Sequence, residues 1–175
     1  MNSVLQILKN IPNFTYNICI SSLNNSDKFI LSLKNLLINL CKPKNSPVSP
    51  NEFKAYLGLE NKLFNGNNQY DSTLFYVVLL TIINKKLNKA KKENIIKLDM
   101  EKYNDKSIQE QFRIWKENYL LKNQSFIFNL FYIFFVNVIE CKSCHNKTYT
   151  YQSTNFLDLP IVSENNCLKN IEECF

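Results

Sequence analysis

Apolar residues recur along this chain at two different spacings, helical in the front and strand-like towards the rear. In 1–8, Val4, Leu5 and Leu8 fall on one side of a 3.6-residue period, which predicts a short helix ended by Ile11-Pro12. Over 28–41, Phe29, Ile30, Leu33, Leu36, Leu37 and Leu40 recur at helical spacing with Lys28 and Lys34 between them, the pattern of an amphipathic helix laid on a core. Pro43, Pro47 and Pro50 interrupt the next stretch. Ser49-Pro50-Asn51-Glu52, with proline in the first turn, then opens a helix over 53–59 that closes near Gly58 or Asn61. Asp71 offers a side-chain cap to a nearly all-apolar helix through Ile83, with Leu74, Phe75, Val78, Leu79 and Ile82 inward. A polar linker over 85–104, with a short apolar piece at 95–98, leads to the capping-box pattern Ser107-x-x-Glu110. That box opens a helix running through Phe112, Trp115 and Tyr119 to about Leu121, with Trp115 as its core anchor.

The spacing then changes. Two runs rich in aromatic and β-branched residues, 131–139 and 148–153, flank Cys141-Lys-Ser-Cys144, and His145-Asn146 supplies turn chemistry, so the stretch reads as a hairpin with a Cys-x-x-Cys tip. A further strand over 156–161, closed by Pro160, and a final helix over 166–174 with Leu168 and Ile171 inward complete the reading. Helices followed by a hairpin make the expected class α+β.

Composition narrows the function classes. At 175 residues, 45% of them hydrophobic, the chain is long and apolar enough for a folded core. Two glycines among abundant Asn and Lys are a compositional habit that says little about mechanism. The net charge of +6 is densest over 85–92, where five lysines stand without interleaved aromatics; this is a solvated stretch, not a nucleic-acid patch. The most apolar run, 126–139, is shorter than the roughly 20 residues of a membrane span and carries Asn129 and Asn137, so no membrane partner is expected. Six cysteines without a recognisable secretory leader favour a reducing compartment, the cytoplasm and/or the nucleus.

Taken alone, Cys141-x-x-Cys144 fits half of a tetrahedral zinc site, a redox pair, or two thiols without a role. Its neighbours add context. The order Trp115-x-x-x-Tyr119, Asn123-x-Ser125-x-Ile127, Leu130-Phe131, Cys141-x-x-Cys144 and Phe156-Leu-Asp-Leu-Pro-Ile161 resembles the middle of the ubiquitin-specific protease domain. The opening Met1-Asn2-Ser3-Val4-Leu5-Gln6 is similar to the end of that family's cysteine box, whose nucleophile stands two positions before the Met. Gln69, Asp71 and Phe75 match the box whose polar residues contact the ubiquitin tail, whereas Tyr70, Ser72 and Leu74 depart from it. Leu74 stands where the family has a Glu facing an arginine-rich tail.

The resemblance implies a partial, papain-like ubiquitin-specific protease domain, with a helical thumb over 1–122 and the fingers hairpin and start of the palm over 123–175. It implies ubiquitin or ubiquitinated proteins as partners, contacts from Gln69 and Asp71, and a cysteine-box remnant in Asn2, Ser3 and Gln6, which support the site without being catalytic. Asp71 reads equally well as a helix cap alone. Cys141 and Cys144 would be half of a structural zinc site, with no cofactor required for the chemistry.

A cysteine protease of this kind needs a nucleophile and a general-base His. The sole histidine, His145, reads as a turn residue or spare metal ligand, and the nucleophile position precedes Met1. No peptidase activity is therefore expected of these 175 residues by themselves, whether they are a piece of an active deubiquitinase or of a non-catalytic ubiquitin-binding relative. A zinc-binding interaction module is the reading from a different class.

Overall fold

In a computed structural model, residues 1–21, 26–42, 47–90 and 98–158 are described. They form seven α-helices and one antiparallel hairpin, a helix-rich α+β arrangement, in two compact units, Met1–Leu130 and Phe131–Phe175.

In the first unit, α1 (Asn2–Lys9) buries Val4, Leu5 and Leu8, the three positions its periodicity selects. Pro12 does not only end that helix. It also begins α2 (Pro12–Ser21), where a missing N–H costs nothing at the first helical position, and Phe14 and Ile18 point inward. The sequence reading has no helix here, because the polar residues Asn13, Thr15 and Asn17 blur the period. α3 (Lys28–Cys41) has the predicted limits; Asp27 caps it by accepting from the Ile30 N–H, and Phe29, Ile30, Leu33, Leu36 and Leu37 are buried. α4 (Asn51–Glu60) starts after Pro50 and ends in a 3₁₀ turn, Lys62–Asn65, capped by Asn61.

α5 (Ser72–Leu87) runs further than the pattern indicated, taking in Lys85 and Lys86, which the sequence reading gives to a linker. Its buried face is Phe75, Leu79, Leu80 and Ile83, while Leu74 is 41% exposed. A nearly uniform apolar helix hides its own orientation, since almost every face satisfies the pattern. α1 packs on α2, α3 and α5, and α3 packs on α2 and α4.

α6 (Ile108–Lys122) is capped by Ser107 as predicted, but Glu110 pairs with Lys106 instead of reaching back to the cap. It buries no residue. Trp115, expected as a core anchor, is only half-buried, in a ladder of Phe112, Trp115 and Tyr119 that meets Phe128. The aromatic run begins with a helix, α7 (Phe126–Phe131), and not with a strand. Ser125 Oγ donates to Asn84 Oδ1 and ties the start of α7 to α5.

The second unit holds β1 (Ile133–Glu140) paired with β2 (Lys147–Thr154), with Val136 opposite Tyr151 and Glu140 opposite Lys147. Phe156, Leu157 and Asp158 are exposed and form no strand. The predicted 166–174 helix, Cys167, Cys174, Pro160, Ile161 and all but Leu98 of the 95–98 piece lie outside the described residues. No helix among the described residues is long and apolar enough to cross a membrane.

An ion cluster joins three helices of the first unit. Lys86 Nζ on α5 lies 2.6 Å from Asp27 Oδ2 before α3 and 2.6 Å from Glu60 Oε1 at the end of α4, and stands over the Phe29 ring. Burial pushes the Asp27 carboxyl up, but the Lys86 ammonium and the Ile30 N–H outweigh it and hold it below the ordinary carboxylate value. Burial likewise lowers Lys86, and its two carboxylate partners more than restore it, so its value lies above that of a free lysine. The side chains of Lys86, Asp27 and Glu60 keep 17, 27 and 32% exposure, which places the pairs between surface and buried ones. Lys86→Met is expected to cost about 1–2 kcal/mol in urea unfolding. Because the Asp27 value is depressed on folding, its contribution is present above the unfolded value near pH 4 and is lost as pH falls through the folded one. The cost of Lys86→Met should therefore shrink below about pH 4, and a cost that is unchanged at pH 3 would contradict this account.

Candidate functional site

The segment between the 3₁₀ turn and α5 is short of apolar residues yet closely held. Phe64, 7% exposed, sets its ring edge-on against Tyr70 at 5.4 Å and Phe75 at 5.7 Å between centroids, so one side chain anchors both ends of the 65–70 stretch. Gly58 lets α4 approach: a Cβ there would lie 3.1 Å from the Asn65 Cα and 3.0 Å from its Oδ1. Lys54 Nζ, one turn earlier on α4, donates to Asn67 Oδ1 at 2.6 Å. Asp71 ends the stretch by accepting from the Thr73 N–H at 2.7 Å and the Leu74 N–H at 3.1 Å. Those two amides hold its carboxyl below the ordinary value, the Leu74 N–H most of all.

The result is a cavity of about 360 Å³ whose lining includes Met1 at the start of α1, Lys54 and Leu57 on α4, and Phe64, Gln69, Tyr70 and Phe75. The volume suits a few residues of extended peptide. The aromatic rings offer apolar contact, while the Asn67, Asn68 and Gln69 amides each bring a donor and an acceptor for main-chain groups.

Of the residues singled out from sequence, Gln69 lines this cavity, and Asp71, next in the chain after the lining residue Tyr70, caps α5. Asn2, Ser3 and Gln6 lie exposed on α1 just beyond Met1, and Gln6 Oε1 accepts from Lys9 Nζ at 3.5 Å. Lys54, Phe64, Asn67 and Tyr70 were not picked out. The signal for the last three was a polar, glycine-bearing stretch bracketed by two aromatics ahead of a helix cap; nothing in the sequence marked Lys54, which reaches the loop from another helix.

Cys141 and Cys144 belong to the second unit and are exposed at the hairpin tip. Cys141 N–H donates to the Asn146 carbonyl and His145 N–H to the Cys141 carbonyl, each at 2.9 Å, and His145 takes a positive φ of 54° to close the turn. The Cys144 amide, then the Ser143 amide and the Cys144 thiol, point at the Cys141 sulfur and draw its thiol below the ordinary value. A sulfur ringed by N–H donors suits a metal thiolate, so the two cysteines fit the role of two zinc ligands. Among the described residues, no three His, Cys, Asp or Glu side chains converge to complete such a site. His145 Nδ1 is 3.1 Å from Glu140 Oε1, and Lys147 pairs with the same carboxylate, as fits a turn residue.

The sequence pattern of the ubiquitin carboxyl-terminal hydrolase family matches residues 1–163. The chain is 32% identical over 136 residues to ubiquitin carboxyl-terminal hydrolase 4 of Vanderwaltozyma polyspora, covering 75% of this chain and 15% of that protein. It is 29% identical over 171 residues to ubiquitin carboxyl-terminal hydrolase 5 of Arabidopsis thaliana, covering 92% and 18%. With ubiquitin carboxyl-terminal hydrolase 15 of Homo sapiens it shares 28% identity over 172 residues, covering 92% and 17%. It thus spans 15 to 18% of the length of these curated relatives.

Gly58→Ala tests whether the close approach of α4 builds the cavity. Helix propensity alone would favour alanine by about 1 kcal/mol. Here the added methyl meets the backbone of Asn65, whose neighbour Phe64 is pinned between two rings, so a net loss of thermal stability is expected. A raised melting midpoint would show that the stretch gives way freely.

Proposed function

The chain belongs to the ubiquitin carboxyl-terminal hydrolase family, and we propose that its cavity between the start of α1 and the 65–70 stretch receives the C-terminal tail of ubiquitin. On this reading the chain is the ubiquitin-gripping part of a thiol-dependent deubiquitinase with a papain-like domain, 1–122 forming its helical thumb and 123–175 the fingers hairpin and the start of the palm. Gln69 bonds the tail from the cavity wall. Asp71 holds the start of α5 by accepting from the Thr73 and Leu74 amides, and on this reading it contacts the same tail.

The observation that carries the reading is that Met1 and Gln69, 68 positions apart in sequence, line one cavity. A tail lying there would bring its terminal carbonyl towards the N-terminal end of α1. A helix start offers free N–H groups and partial positive charge, which favour both a thiolate nucleophile and the oxyanion formed when it attacks an acyl carbon. Asn2, Ser3 and Gln6 keep that helix end in place and are not catalysts. The nucleophile of such an enzyme stands two positions before the Met that Met1 matches, and its general base is not His145, which lies exposed in the hairpin turn. Cys141 and Cys144 contribute two of the four ligands of a structural zinc ion.

Two measurements test this. The purified 175-residue chain is expected to bind ubiquitin in a polarisation assay, with Gln69→Ala weakening binding about three- to tenfold, the worth of one interfacial hydrogen bond. It is expected to leave a ubiquitin–fluorophore conjugate uncleaved. Absence of binding would remove ubiquitin as the ligand, and robust cleavage would show that the 175 residues contain a nucleophile and base that this reading does not give them.

A further inference from the structure

Gln69 stands in a stretch with little structure of its own to hold it. Residues 66–69 are exposed and lie outside the helices and the 3₁₀ turn, between Asn65, which sits close to Gly58, and Tyr70, which packs on Phe64. Between those ends, the 2.6 Å bond from Lys54 Nζ to Asn67 Oδ1 is, among the described residues, the one side-chain hydrogen bond made by Asn67, Asn68 or Gln69. Its donor is mounted on a packed helix, since Phe53 and Leu57, on either side of Lys54 in α4, are buried. Lys54 pairs with no carboxylate among the described residues, so no competing partner draws the ammonium away from the loop. A hydrogen bond from an ammonium is also stronger than one between neutral groups.

We propose that Lys54 is a positioning residue, which acts through Asn67 to hold the 66–69 stretch in the shape that presents Gln69 before a ligand arrives. The inference rests on the reading that this cavity receives the ubiquitin tail, and adds a residue to it. With Asn67 tied to α4 and Tyr70 packed on Phe64, only Asn68 and Gln69 lie between fixed points. Without the Lys54 bond the unheld span starts at Gly66. A longer unheld span visits shapes that do not fit the tail, and the measured affinity falls in proportion to the population that does. Lys54 needs no contact with the tail to have this effect.

The test compares the 175-residue chain with Lys54→Met, Asn67→Ala and the double variant, each checked for folding by circular dichroism. Methionine keeps the helix propensity of position 54 and removes only the donor and its charge. In fluorescence polarisation against ubiquitin, Lys54→Met is expected to weaken binding about two- to fivefold. In the Asn67→Ala background the same change should have no further effect, because the bond is already gone. In the free chain, the heteronuclear Overhauser effects of the Asn67, Asn68 and Gln69 amides should fall in Lys54→Met while those of α4 and α5 stay as they were. A loss just as large in the Asn67→Ala background would overturn the proposal by showing that Lys54 acts by another route. So would loop amides that move no more in Lys54→Met, or ubiquitin binding that Lys54→Met leaves unchanged; each of these leaves the ubiquitin reading standing. Failure of the unsubstituted chain to bind ubiquitin overturns that reading and this inference together.

Discussion

The edge-on packing of Phe64 between Tyr70 and Phe75 is the contact on which the candidate site depends. The stretch from Gly66 to Gln69 is exposed, carries Gly, Asn and Gln, and has no regular hydrogen-bonded structure of its own. Such a stretch keeps one conformation only when its ends are fixed and backbone entropy is overcome elsewhere. Phe64 supplies that by burying one ring against residues on both sides, Gly58 lets α4 come close enough to support it, and the Asp71 cap fixes where α5 begins. Gln69 therefore owes its position to neighbours that do not themselves carry the polar recognition chemistry.

A second constraint sets the frame in which that loop sits. Lys86 joins the start of α3 and the end of α4 to α5, so the helices bordering the cavity are referenced to one another by charge as well as by the apolar contacts of Leu57, Leu79 and Leu80. The partners come from positions 27, 60 and 86, far apart in the chain, and such an arrangement stabilises only the assembled helices. The hairpin unit is built differently. Its register sets Glu140 opposite Lys147, and the tip between them is closed by backbone hydrogen bonds and a left-handed His145, which presents Cys141 and Cys144 side by side.

Much of the fold could be read from the chain because several local signals agree with the tertiary outcome. α3 has both a clean period and an aspartate cap, the Ser107 cap opens α6, and the hairpin shows its turn chemistry between two β-rich runs. Where the signals were ambiguous the reading slipped. Pro12 terminates one helix and starts the next, and sequence alone favours the first role. The 126–139 run is apolar except for one Asn in each half, Asn129 and Asn137, so its helical beginning and strand-forming end share one composition. In α5 the same uniformity hid which side faces the core. For the site, Gln69 was marked by resemblance and Asp71 by its capping position, whereas Lys54 acts across space from another helix and leaves no trace in local pattern.

The central claim, that the start of α1 and the 65–70 stretch form one ligand seat, is tested most directly by amide chemical-shift mapping while unlabelled ubiquitin is titrated into the isotope-labelled chain. The account predicts that the largest changes fall together on Asn2, Phe64, Gln69, Tyr70 and Phe75, with the Cys141–Cys144 tip shifted less. Changes confined to the hairpin, with that set unmoved at saturation, would contradict it.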